Sequence, residues 1–191
     1  MTEAQIAAVA GEYYVAHKLA TLGFLPTLVR DRMPRSNLLV SSPDGERTTA
    51  VQVKSALNAA CENEPGRTDR FSLRFPLGNR AVQSCSDNTF FCFVDLRRIT
   101  PSAPPDVYVL PAATLKQEYE GISLRKYSQL YYQRPWQVLQ PFRNNWEPIE
   151  LALRGGLTRE TLPRATRGRG VVHTLRRHVG MPLAKSPSSL G

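Results

Sequence analysis

Gln52, Val53 and Lys54 are the residues whose types and spacing most directly suggest chemistry. Gln52 and Lys54 are two apart, and a strand alternates its side chains, so both point to the same face of a sheet. A lysine held beside an oxygen ligand on a rigid strand can orient or help deprotonate a metal-bound water. That is the arrangement needed to hydrolyse a phosphodiester. Upstream, Glu12 offers a carboxylate from a helix, and Asn37 stands where such a site would want a second one.

Several elements have to position these residues. Residues 2–22 read as a helix, with Thr2 and Gln5 fitting a capping box and Gly23 a C-terminal stop. Ile6, Val9, Tyr13, Ala16 and Ala20 recur at helical spacing and are expected to form its buried stripe, with Glu12 alongside. Residues 24–29 read as a short strand interrupted by Pro26. Residues 37–42 and 48–55 read as a hairpin joined by Pro43-Asp44-Gly45-Glu46, a strong turn sequence. With those four residues in the loop, Ser42 pairs with Arg47 and Asn37 falls opposite Gln52. Leu38, Val40, Val51 and Val53 then form a core face, and Asn37, Gln52 and Lys54 a candidate site on the other. A slip of one residue would destroy this constellation.

Beyond the hairpin, residues 57–70 are polar and read as a flexible loop, and 71–75 as a strand. Residues 89–96 are apolar on both faces and are expected to be a central strand. A short strand at 107–110 and helices at 112–120 and 147–153 follow. Six aromatics between 127 and 146, among them Trp136, suit a core more often than a base-stacking surface. After Gly155-Gly156 the composition turns to Arg, Gly, Pro and Ser. The expected organisation is therefore a domain over 1–154 and a basic, largely disordered tail over 155–191.

The chain has 191 residues and a formal net charge of +9, which favours an anionic partner. Residues 155–191 hold seven Lys/Arg against Glu160 alone, so the tail carries +6 of that charge. Flexible arginines of this kind suit sequence-independent phosphate contacts. Cys61, Cys85 and Cys92 form no CxxC pair, which points to reduced thiols in a cytoplasmic protein and away from a zinc site. The sequence shows no signal peptide, and its longest apolar run, residues 90–94, is far too short to span a bilayer.

A helix bearing Glu, a strand, a hairpin and a strand ending in QxK resemble the PD-(D/E)xK nuclease superfamily. Gly11-Glu12-Tyr13-Tyr14-Val15, with Leu19 and Gly23-Phe24, looks like the first helix of its restriction-endonuclease-like and Holliday-junction-resolvase-like members. Asn37-Leu38-Leu39-Val40 sits where the family has Asp before an apolar strand, and Gln52-Val53-Lys54-Ser55 matches its (D/E/Q)xK signature. The match spans residues 2–56. The resemblance implies an α/β fold with a restriction-endonuclease-like mixed central sheet flanked by helices. It also implies DNA endonuclease activity dependent on Mg²⁺ or Mn²⁺, and DNA as partner, with RNA and a homodimer left open.

Carried over residue by residue, Glu12, Asn37 and the side-chain oxygen of Gln52 would face the metal. Val53 would offer its backbone carbonyl, and Lys54 would position the attacking water and stabilise charge on the phosphate. Asn37 departs from the pattern, because Mg²⁺ prefers anionic oxygen and only Glu12 is anionic here. Three readings of Asn37 stand open: a naturally inactive relative that still binds DNA, an active nuclease in which Asp31 or Asp44 reaches the metal, or a substitution in an otherwise active enzyme. Two other classes stand beside the nuclease: a nucleic-acid-binding or regulatory module on the same scaffold, and an α/β protein that binds another protein.

Overall fold

A computed structural model describes residues 1–29, 37–62, 71–78, 86–97, 103–120 and 130–155. The helix α1 spans Glu3–Thr21 and starts with the expected capping box: Gln5 N–H donates to Thr2 Oγ1, and Thr2 N–H to Gln5 Oε1. The chain then runs β1 (Leu25–Leu28), β2 (Leu38–Ser41), β3 (Thr48–Ala56), β4 (Ala60–Glu62), β5 (Phe71–Pro76), β6 (Thr89–Asp95) and β7 (Asp106–Pro111). It continues through α2 (Ala112–Glu118), β8 (Tyr131–Pro135), α3 (Trp136–Leu139), a 3₁₀ turn at Gln140–Phe142 and α4 (Glu147–Arg154).

Five strands form a mixed sheet in the order β1-β2-β3-β6-β7, in which β3 and β6 are parallel and the other neighbours antiparallel. A smaller antiparallel sheet, β4-β5-β8, packs against it. The fold is thus α/β, with helices flanking a mixed central sheet. The hairpin register is the expected one: Leu38 pairs with Val51, Val40 with Thr49, and Ser42 N–H donates to Arg47 O at 2.9 Å. Gly45 turns the loop with φ 75°, a conformation glycine adopts without steric cost. Pro26, which lacks a ladder donor, sits on the edge strand β1, where that loss is tolerated.

The strand β6 is buried at every residue and builds two cores at once. On one face Phe90, Cys92 and Val94 join Leu38, Val40, Val51, Val53 and residues of α1 and α4 in an aliphatic cluster. On the other, Phe91 and Phe93 join Phe75, Tyr108, Tyr132 and Leu115 in an aromatic one, with the Phe93 and Tyr132 rings stacked 4.6 Å apart.

Two expectations need correction. The buried stripe of α1 is Ala7, Gly11, Val15 and Leu19, whereas Ile6, Val9 and Tyr13 are exposed. The cause is proximity. A Cβ on Gly11 would lie 1.8 Å from Ser55 Oγ, so the helix face centred on Gly11 is the one that packs on the sheet. The expected loop at 57–70 contains β4, paired with β5 through Ala60–Leu73, Cys61–Ser72 and Glu62–Phe71. Residues 63–70, Asp31 and the expected tail beyond Gly155 lie outside the described residues.

Candidate functional site

Gly11 packs closely on Ser55 of β3, and Glu12 follows it on α1. Asn37 reaches that carboxylate from the start of β2: its Nδ2 donates to Glu12 Oε1 at 2.8 Å. The rest of Asn37 is equally committed. Its backbone N–H donates to Val51 O at 3.0 Å, and its backbone carbonyl accepts from Val29 N–H at 2.9 Å. Its side-chain Oδ1 accepts from Val53 N–H at 2.9 Å. The regular ladder ends at the Leu38–Val51 pair. Asn37 therefore does not continue as a plain partner of Gln52; its side chain takes the backbone donor of Val53. That donor also fixes the amide orientation, because only an oxygen can face an N–H.

Lys54 follows on the same strand, half-buried. Burial pushes its ammonium below the ordinary lysine value, and the nearby Glu12 carboxylate pulls it part of the way back. Gln52 shares the Lys54 face and is buried, 3% exposed, beside Phe91 in the parallel register. The structure thus joins Glu12, Asn37 and Val53 directly and brings Lys54 into the electrostatic reach of Glu12. It sets Gln52 on the aromatic side of β3. Asp44 caps its own turn, accepting from Glu46 N–H at 3.0 Å, at the opposite end of the hairpin from Asn37.

As it stands, this donor set does not fit Mg²⁺ or Mn²⁺. A hard dication wants several anionic oxygens. Here Asn37 points N–H groups at the carboxylate, and its amide oxygen is engaged by Val53 N–H. Among the described residues no three His, Cys, Asp or Glu side chains gather as a metal-binding group.

Sequence reasoning missed a second polar cluster. Asp95 and Asp106 are paired across β6 and β7, both buried, with Arg97 and Arg143 against Asp106. Acids bracketing two apolar strands were the available signal. No helix among the described residues is long and apolar enough to cross a membrane.

Neither a family model nor a curated protein matches the chain. Among solved structures it is similar to a bacterial homing endonuclease, with 15% identity and a TM-score of 0.46 over 82% of this chain and 95% of that chain.

Proposed function

We propose that this chain is a DNA-binding protein of PD-(D/E)xK nuclease descent in which Asn37 holds the hydrolytic corner in a metal-poor, braced state. The observation that carries this reading is the pair of bonds from the Asn37 amide, Nδ2 to Glu12 and Oδ1 from Val53 N–H. An aspartate in the same rotamer would keep the Val53 bond and turn a second oxygen toward Glu12 Oε1. Two carboxylate oxygens that close repel unless a proton or a cation lies between them. The nuclease reading therefore turns on one atom. With nitrogen at that position the corner is a hydrogen-bonded brace; with oxygen it is a cation ligand pair.

Lys54 fits either state. As an ammonium it balances Glu12, and its lowered pKa brings the neutral amine, which can accept a proton from water, closer to physiological pH. The net charge of +9 supports a polyanionic partner. The alternative, a nucleic-acid-binding or regulatory module without chemistry, differs in what position 37 can restore.

The test is cleavage of plasmid, linear and branched DNA in Mg²⁺ or Mn²⁺. We expect weak or no cleavage by the present sequence. The Asn37→Asp variant should gain cleavage and lose it again when Lys54→Ala is added. Robust cleavage by the present sequence that disappears with Lys54→Ala would overturn the braced-site reading. Cleavage by neither form, with DNA binding intact, would favour the module.

A further inference from the structure

Asp95 and Asp106 face each other as a cross-strand pair, 6% and 4% exposed. Directly opposed like charges are unfavourable, so this corner needs cations. Arg97 Nη2 donates to Asp106 Oδ2, and Arg143 Nε donates to Asp106 Oδ1 at 2.9 Å. Asp95 Oδ1 accepts from the backbone N–H of Ala59 at 3.1 Å and of Arg97 at 3.0 Å. Backbone strain collects in the same place. Arg97, at φ 48°, and Asn144, at φ 51°, are the non-glycine residues with positive φ among the described residues, and both bond to Asp106. Such conformations persist where the surroundings over-determine them, and they cluster at ligand sites.

This assembly opens onto a cleft of ≈ 530 Å³ that also has Trp136 and Tyr108 in its wall. Its size lies within the range of about 300–1,000 Å³ common for small-ligand sites. Neither Glu12, Asn37, Gln52 nor Lys54 lines it. Trp136 is 43% exposed, and the side chains of Arg97 and Arg143 are 39% and 41% exposed. A guanidinium carries five N–H donors in a fork, and one nitrogen of each is committed to Asp106, so each partly exposed arginine keeps further donors. Two arginines balance two aspartates. That leaves no surplus charge for a polyphosphate, but enough donors for one phosphodiester beside an exposed indole.

We propose that this cleft binds one unstacked nucleotide of a single strand, with the base against Trp136 and its phosphate on Arg97 and Arg143. Stacking on an aromatic ring with arginine at the backbone is the chemistry that holds single strands. A duplex hides its base faces in its own stack and cannot use the cleft. The proposal rests on the nucleic-acid reading above and adds a second contact point to it.

The test is anisotropy of a labelled oligothymidylate and of a duplex of equal length, titrated with the full chain and its Trp136→Ala and Trp136→Phe variants. Trp136→Ala should weaken single-strand binding about tenfold and leave duplex binding unchanged. Trp136→Phe should recover most of the loss. Equal effects on both DNAs, or none on the single strand, would overturn the cleft. Duplex binding without single-strand binding would overturn it while leaving the nucleic-acid reading intact. Binding to neither would overturn both.

Discussion

Glu12 and Asp106 are both carboxylates held against the central sheet, yet the groups that bond to them differ. Glu12 accepts from the amide of Asn37, with the Lys54 ammonium in electrostatic reach, and Asp106 accepts from the guanidiniums of Arg97 and Arg143. The amide spans two neighbours, with oxygen toward Val53 N–H and nitrogen toward Glu12. The guanidiniums keep donors to spare. One corner is therefore built as a brace and the other as a receptor, although the same sheet positions both.

The largest expected effect that tests this contrast is on stability. Asp106→Ala would take away the carboxylate to which both Arg97 and Arg143 bond, leaving Asp95 as the acid of this corner. Breaking a buried pair costs about 3–5 kcal/mol. The guanidiniums here are more than a third exposed, which screens them and brings the expected loss down to about 2–3 kcal/mol. Glu12→Ala removes the Asn37 hydrogen bond to a charged acceptor, of a kind worth about 1.5–3 kcal/mol, together with the attraction to Lys54; water can reach this half-buried site, so its cost should be the smaller of the two. Urea unfolding of both variants measures this. A greater loss for Glu12→Ala would invert the comparison.

A smaller effect concerns Lys54. Its folded pKa lies below the ordinary value of 10.5 because burial disfavours the ammonium. The unfolded chain therefore binds more protons in the window between the folded value and 10.5, and stability attributable to this group rises with pH across that window. Lys54→Met removes the group. The stability of the variant relative to the parent should be most favourable near neutral pH and shrink as pH climbs toward 10.5. A constant difference across that range would mean that the fold imposes no burial cost on Lys54.

The hairpin was readable because Pro43-Asp44-Gly45-Glu46 sets its register and one face is apolar. That is why the Leu38–Val51 and Val40–Thr49 pairs follow from the residues alone. The helix was read less well. Its larger apolar residues Ile6, Val9 and Tyr13 suggested a core stripe, but the close approach of Ser55 is met by Gly11, so Ala7, Gly11, Val15 and Leu19 face inward. Periodicity is blind to that distance. The strand β4 was missed because three residues paired to a distant partner carry little local signal. At the candidate site, the proximity of Glu12 to Asn37 followed from family resemblance. The capture of Val53 N–H by the Asn37 side chain did not, since it depends on where the ladder ends. Trp136 could not be told from its buried neighbours Tyr132 and Phe142 by type or spacing.

The central claim is that the Asn37 amide keeps a divalent cation out of the Glu12 corner. Thermal unfolding with and without millimolar Mg²⁺, for the present sequence and for Asn37→Asp, tests it without reference to cleavage. A cation that binds only the folded state raises its melting temperature, by about 2–4 °C for each kcal/mol in a chain of this size. The account predicts no Mg²⁺-dependent rise for the present sequence. For Asn37→Asp it predicts a lower melting temperature in chelator and a clear rise with Mg²⁺. An equal Mg²⁺-dependent rise in both proteins would contradict it.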